Sequence, residues 1–362
     1  MQIRGKKERC LPKGQELNSQ SQRLLLYAPN VHTGGGFVLL KSVLHAWSNE
    51  VPLVAWLDAR ARAYLELPTN AQVVWVRPAI GSRLSAEFSL ARRTETEDRI
   101  LCFHGLPPLL RSKGKVLIFQ QNRLYLRLLS LKTFTWRTRQ RLCFEQAVAY
   151  LFRQRCSAYW VQTPSMARDL KKWYGETPIN IHVLPFVHPT TLKPSSEHAQ
   201  WDFLYVADGE AHKNHRHLIE AWVTLALQGF KPSLALTLSD RDEPLVVWIN
   251  QKIAEHGLNI TNLGHMPHEK LLTVYRQSNA LIFPSLTESF GLPLIEARQA
   301  GMPILASELD FVRDVCEPTQ SFDPNSAMSI ARAVRRYLGQ DDLPVQTVGA
   351  ATFLGSVLDS RN

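Results

Sequence analysis

The sequence predicts an α/β protein built from two doubly wound, Rossmann-like domains that face each other across a cleft. Three observations carry that expectation. From residue 23 onward short apolar runs alternate with longer amphipathic stretches, the rhythm of a mostly parallel sheet covered on both faces. That rhythm breaks once, at the Pro-, Ser- and Thr-rich "PFVHPTTLKPSSEHAQ" of residues 185–200, and then restarts. The 362 residues are also too many for one ordinary domain.

The elements follow in order. Residues 1–20 are polar and rich in Lys, Arg and Gln, and read as a mobile lead-in to a first domain over 21–190. Strands are expected at Arg23–Asn30, Val51–Asp58, Gln72–Arg77, Arg99–His104, Lys115–Gln120, Ala158–Thr163 and Ile179–Phe186. Helices are expected between them, as at Gly36–Trp47 and Arg137–Phe152. Residues 191–200 form the linker. The second domain, 201–345, has strands at Trp201–Ala207, Ser233–Ser239, Ile260–Gly264, Ala280–Pro284 and Pro303–Ala306. Its helices fall at Lys213–Leu227, Pro244–His256, His268–Gln277, Pro293–Ala300 and Ala327–Leu338. Residues 346–362 are a tail placed to pack back on the first domain. Ligands of such sheets sit at the carboxyl ends of the strands, here in the interdomain cleft.

Composition narrows the function classes. No run of eighteen apolar residues is present to span a membrane, and the N-terminus lacks the apolar core of a signal peptide, so the expected location is cytoplasmic. Five scattered cysteines with no CxxC spacing fit reduced thiols rather than zinc. Residues 1–200 hold 29 Lys and Arg against 13 Asp and Glu, a net of +16, whereas residues 201–362 hold 13 against 19, a net of −6. Two halves of opposite sign face different partners. Residues 122–160 carry eight Lys and Arg, one acid and many Leu and aromatic side chains, which suits peripheral attachment to an anionic membrane surface as well as a solvated basic helix. No nucleic-acid motif appears, and nucleic acid is not an expected partner.

The chemistry concentrates in "FPSLTESFGLPLIEARQAG", residues 283–301. A buried strand ends at Pro284, a loop carries Glu288, and a helix opened by Pro293 places Glu296 in its first turn. Main-chain N–H groups from Phe290 to Leu294, Pro293 excepted, make a nest for an anion or hydroxyl, and Gly291 lets a ligand approach. Each carboxylate can accept two O–H donors, as vicinal sugar hydroxyls present them. Alone, a first-turn glutamate serves only the helix dipole; the combined pattern says more.

Glu288-Ser289-Phe290-Gly291-Leu292-Pro293-Leu294-Ile295-Glu296 resembles the E-x7-E motif of retaining glycosyltransferases of the GT-B fold, the group 1 type. Residues 301–316, 321–334 and 212–222 resemble other segments of the same second domain, so the likeness covers about residues 200–340. The resemblance implies a nucleotide-diphosphate sugar as donor, a glycan or lipid-linked glycan as acceptor, and no cofactor. It implies that Glu296 grips the ribose hydroxyls, that Glu288 contacts the donor sugar, and that the backbone of Ser289, Phe290, Gly291 and Leu292 meets the sugar hydroxyls and distal phosphate. It implies too that the base lies near Gly264, His265 and Met266. Lys213 neutralises the departing diphosphate. Relatives pair that lysine with an arginine just after the strand; here Asp208 stands there, and His212 and Arg216 are the nearby substitutes.

In the first half, Gly34, Gly35 and Gly36 form a glycine-rich turn between strand and helix, suited to a diphosphate or acceptor. It matches neither G-x-G-x-x-G nor a P-loop. His104, Gln121 and Asn122 end neighbouring strands and line the same side of the cleft. No general base stands out, which a front-face displacement using the departing phosphate oxygen as base tolerates. Asp240-Arg241-Asp242 mimics a metal motif but reads as a helix cap, and no metal is expected. The function expected is metal-independent retaining glycosyl transfer in bacterial surface polysaccharide synthesis. An epimerase-like enzyme or soluble-acceptor transferase on the same fold, and a non-catalytic binding protein, remain open alternatives.

Overall fold

The computed structural model describes residues 23–48, 52–126, 131, 134–176, 178–187, 199–340 and 350. The lead-in, nearly all of the linker and, apart from residue 350, the C-terminal tail lie outside the described residues.

The first domain runs β1 (Leu24–Ala28), α1 (Gly34–His45), β2 (Val54–Asp58), β3 (Gln72–Val76), α2 (Ile80–Arg93), β4 (Arg99–Cys102), β5 (Lys115–Phe119), α3 (Trp136–Phe152), β6 (Cys156–Val161), α4 (Pro164–Tyr174) and β7 (Ile181–Val183). Its seven strands are all parallel, in the order β3-β2-β1-β4-β5-β6-β7. The second domain runs β8 (Trp201–Tyr205), α5 (His215–Leu227), β9 (Leu234–Leu236), α6 (Glu243–His256), β10 (Ile260–Asn262), α7 (His268–Arg276), β11 (Ser278–Phe283), α8 (Leu292–Gln299), β12 (Ile304–Ser307), α9 (Asp310–Arg313), β13 (Gln320–Phe322) and α10 (Ala327–Tyr337). Its six strands, also parallel, follow β10-β9-β8-β11-β12-β13.

Parallel strands covered on both faces need continuous apolar runs. All five residues of β2 are buried, as are the last four of β11. Each sheet separates two layers of core. In the first domain Trp56, Tyr27 and Leu90 pack on one face and Leu26, Leu40 and Phe103 on the other. The second domain closes around Trp222, Tyr205, Phe283 and Phe311. Cys102 and Cys316 are buried free thiols, and Cys143 is exposed.

The expected alternation is present; most strands are shorter than expected, while β6 and β12 keep the expected length and β11 is longer. Helices α2 and α4 fall where helices were expected between strands, though without ranges of their own, whereas α9 and the edge strand β13 had no counterpart in the reading of the sequence. The three glycines do not precede the first helix; they form its first turn, with Gly34 at φ 68°. Glu296 sits in the second turn of α8, because that helix already begins at Leu292.

The strand order fixes where a ligand goes. In each sheet the chain reverses its direction of travel between two neighbours, β1 and β4 in the first and β8 and β11 in the second. A crevice opens at the carboxyl ends of those pairs. The segments that leave these four strands are the glycine-opened α1, the His104 turn, the Lys213 loop and the Glu288 loop.

Candidate active site

The Lys213 and Glu288 loops are stitched to each other before any ligand arrives. Leu286 N–H donates to His212 O at 2.8 Å. Buried Tyr205 at the end of β8 donates its hydroxyl to Lys213 O at 2.6 Å and lies 3.2 Å from Ser285 Oγ. Asn214 takes the left-handed conformation, φ 63°, and its amide donates to Pro284 O and Pro324 O. A left-handed residue here turns the chain from a single 3-10 turn at Ala211–Lys213 into α5 and leaves Lys213 at the crevice.

On this frame Lys213 Nζ meets Glu288 Oε1 at 2.7 Å, with side chains only 17% and 12% exposed. Burial opposes the lysine's charge, but Glu288, Asp208 and Glu210 outweigh it and hold its pKa above the ordinary lysine value. The cation is therefore permanent at neutral pH, paired with Glu288 and within the field of Asp208 and Glu210. Asp208 acts as one of its counter-charges. Close by, Thr287 Oγ1 is buried with no hydrogen-bond partner, a polar atom left over inside the site.

The arginine expected beside this lysine has no stand-in on its own loop. Arg216 lies over the Trp248 ring, 4.7 Å from its centroid, on the α5–α6 side. His212 is held below the ordinary histidine pKa by burial and by Lys213, so it is neutral at neutral pH. A second buried cation comes instead from the first domain, beside the Ser289 end of the Glu288 loop. Arg123 donates from its backbone N–H to Ser289 Oγ at 2.9 Å and from Nη2 to Ser165 Oγ at 2.7 Å, with Nε 3.0 Å from Asp169 Oδ2. Burial lowers its pKa, while Asp169, Asp314 and Glu288 support its charge.

Glu296 is 8% exposed, and both oxygens already accept hydrogen bonds. Oε1 lies 2.8 Å from His268 Nε2, and Oε2 accepts from the Tyr275 hydroxyl at 2.9 Å. Burial and the adjacent carboxylate keep the Tyr275 phenol protonated, so it is an obligate donor. The hydrogen bond to Glu296 raises the His268 pKa against its burial. His268 opens α7 directly after the Gly264–His265–Met266 loop, where Gly264 has φ 75°. The loop expected at the base is thus tied to the carboxylate expected at the ribose. Each oxygen keeps a lone pair for a further hydroxyl.

Between them, the nest at the start of α8 narrows to Phe290, Gly291 and Leu292, because Leu294 N–H donates to Gly291 O. Gly291 is needed less for ligand approach than for its left-handed φ of 73° at the helix N-cap. Across the crevice a Cβ on Gly35 would come within 2.9 Å of Leu292 Cδ1, while one on Gly36 would come within 2.9 Å of Gln121 Oε1 of the same domain. Gly35 lets the two domains touch, and Gly36 lets the Gln121 turn of its own domain approach α1. Val38 and Leu39 of α1 line one recess with His268, Leu292, Ile295 and Glu296. Thr163 Oγ1 donates to Ser289 O at 3.3 Å, and Asp314 accepts from Ser165 N–H.

The other first-domain candidates are mostly occupied in holding loops. Gln121 donates to Phe103 O, and Asn122 Oδ1 accepts from Leu124 N–H in a short turn. His104 Nδ1 bonds Tyr27 O at 3.3 Å, which leaves Nε2 as the acceptor, and burial pushes its pKa down to about 4. So neutral a ring suits a hydroxyl hydrogen bond better than proton abstraction. The Asp240–Asp242 tripeptide is a cap: Asp242 Oδ2 accepts from Ser239 N–H and Oγ. Among the described residues no group of three or more His, Cys, Asp or Glu is placed to hold a metal ion. His268, Tyr275 and Arg123 escaped the sequence reading, since nothing local marks which distant carboxylate or loop a side chain will meet.

Residues 191–352 match the family model described as Glycosyl transferases group 1. The chain is 31% identical over 144 residues to the O-antigen chain mannosyltransferase B of Escherichia coli, covering 38% of this chain and 37% of that protein. It is 27% identical over 196 residues to a glycogen synthase of Mycobacterium tuberculosis, covering 45% and 47%. The chain thus spans less than half the length of these curated relatives. Among solved structures, Anabaena HepE in complex with UDP and glucose superposes with a TM-score of 0.66 at 14% identity, over 88% of this chain and 90% of that one. The lipopolysaccharide outer core galactosyltransferase WaaB superposes with a TM-score of 0.58 at 12% identity, over 89% and 91%. At such identities the superpositions show the fold, that of the GT-B glycosyltransferases.

Proposed function

We propose that this chain, with a second domain of the glycosyl transferases group 1 type, is a metal-independent retaining glycosyltransferase. It moves a hexosyl group from a nucleotide-diphosphate sugar to a growing surface glycan, in keeping with the relatives named for O-antigen and lipopolysaccharide synthesis. The observation that carries the proposal is the Lys213–Glu288 pair at the second sheet's crevice, facing the glycine-opened α1.

In this reading the diphosphate takes Lys213 from Glu288. Freed of its partner, Glu288 turns to the hydroxyls of the sugar, while Lys213 stabilises charge that develops as the glycosidic bond breaks. The N–H groups of Phe290, Gly291 and Leu292 meet the distal phosphate and sugar. The carboxylate of Glu296, aimed by His268 and Tyr275, accepts the ribose hydroxyls. The departing phosphate oxygen takes the acceptor's proton, so no protein base is required. The basic first domain binds the acceptor, a glycan on a lipid diphosphate, with the protein peripheral on the inner face of the membrane.

The test is thermal unfolding of the wild type and Glu296→Gln with UDP, GDP, ADP and TDP. At one hundred times its dissociation constant a ligand specific for the folded state adds about 2.7 kcal/mol. One nucleotide raising the wild-type midpoint, with the rise lost in the variant, identifies the donor class. No shift with any of the four overturns the proposal in favour of a binding protein that has kept only the fold.

A further inference from the structure

We propose that the outward faces of α2 and α3 together form a docking surface for an anionic bilayer beside the mouth of the cleft. The inference deepens the lipid-linked acceptor reading, and rests on it only for what the bilayer delivers.

Right-handed crossovers place both helices on one face of the first sheet, since β3→β4 and β5→β6 advance in the same direction across it. Helix α3 buries Leu142, Gln146, Val148 and Ala149. Its opposite side shows Trp136, Phe144 and Leu151 at 68%, 67% and 70% exposure. At about 100° per residue these three fall within about 80° of one another. The helix is thus apolar on two opposed faces, and the core covers one. On α2, Ile80, Leu84 and Phe88 repeat at intervals of four and are 80%, 46% and 58% exposed. The helices are neighbours on that face, since α2 leads into β4, α3 follows β5, and β4 and β5 pair side by side. Single exposed apolar side chains need no explanation; six on two adjacent helices do.

The surrounding charge selects the occupant. Helix α3 carries Arg137, Arg139 and Arg141 and a single acid, Glu145. An apolar stripe edged by arginines suits acyl chains beneath anionic headgroups, and Trp136 and Tyr150 suit the interfacial layer. A second copy of the chain on this face would set its arginines against their own equivalents across a two-fold axis. The surface also adjoins the site. Arg83 acts on His104, and Arg141 acts on both Tyr125 and Glu210 of the second domain. A lipid-borne diphosphate leaving the headgroup layer would meet those arginines first.

The experiment is co-sedimentation of the full chain with vesicles of phosphatidylcholine alone and of phosphatidylcholine with one quarter phosphatidylglycerol. The variants are Ile80→Gln/Phe88→Gln, Phe144→Gln/Leu151→Gln and Arg137→Gln/Arg139→Gln. The expected result is binding to the anionic vesicles only, at least tenfold weaker in each double variant, with wild-type melting temperatures because the replaced side chains are exposed. Equal binding to both vesicles, no binding, or double variants that bind like the wild type would overturn the inference. So would a dimer in light scattering that Phe144→Gln/Leu151→Gln dissolves. The nucleotide shift, measured on the same samples, keeps the two readings apart. Lost vesicle binding with an intact shift removes the docking surface alone, and the converse removes the transferase reading alone.

Discussion

Replacing Lys213 by Met removes the one cation of its own domain that is placed on Glu288 among the described residues. Both side chains are more than four-fifths buried, and the carboxylate then stays close to Asp208 and Glu210 with no partner at 2.7 Å. Breaking a buried pair from one side costs about 3–5 kcal/mol, and the residual exposure here places the effect near ~3 kcal/mol. For a domain of this size that lowers the melting temperature by about 6–12 °C. Removing both charges, in Lys213→Met/Glu288→Leu, should restore about half of the loss, because Asp208 and Glu210 still miss the lysine. The assay is urea unfolding of the four proteins of the cycle, followed by tryptophan fluorescence. A coupling energy below about 0.5 kcal/mol would refute the reasoning, since contacts of that strength belong to solvated pairs. In a donor-turnover assay Lys213→Met should also lower kcat by about 10²–10³-fold, the usual effect of deleting one group that stabilises developing charge.

Three further outcomes are expected. His268 has a raised folded-state pKa through Glu296, so its contribution is complete below its unfolded pKa of about 6.5 and is lost as pH rises through the folded value. A melting-temperature profile from pH 5.5 to 8.5 should therefore fall more steeply in the wild type than in His268→Gln, and parallel profiles would contradict the pairing. Gly35→Val forces a side chain against Leu292 Cδ1, at a cost of about 1–3 kcal/mol, and should weaken nucleotide binding by displacing the start of α8, although it removes no hydrogen-bonding group. Asp242→Ala should cost about 1 kcal/mol as a lost cap, and EDTA should leave turnover unchanged; turnover lost to EDTA and restored by Mn²⁺ would reassign the tripeptide.

What was legible in the sequence follows from range. The parallel strands could be read because burial on both faces demands an unbroken apolar run, as in "ALIFP" of β11. The Glu288–Glu296 loop could be read because its chemistry and its turn residues lie within nine positions. Helix α2 was hidden by its own surface: Ala86, Phe88 and Leu90 alternate like a strand, and the period is obscured because Phe88 faces outward. β13 has only three residues, Gln320, Ser321 and Phe322, too few for any period. The pairings of Glu296 with Tyr275 and His268 join residues 21 and 28 positions apart, and Arg123 meets Ser289 across 166. Such contacts are set by how sheets and domains stack, which no local window contains.

Ser289 bears on how such chains can be recombined. Its side chain accepts from the backbone of Arg123 and its carbonyl accepts from Thr163, so the conformation of a loop in one half is held by main chain and side chain of the other. Leu292 meanwhile rests where Gly35 leaves no side chain. The two halves are therefore not interchangeable modules. A chimera that borrows its first half from a relative with a bulkier residue at position 35, or a differently shaped turn at 123, would inherit a displaced loop along with the new acceptor surface. Its choice of sugar could shift even though every residue of the second half was kept.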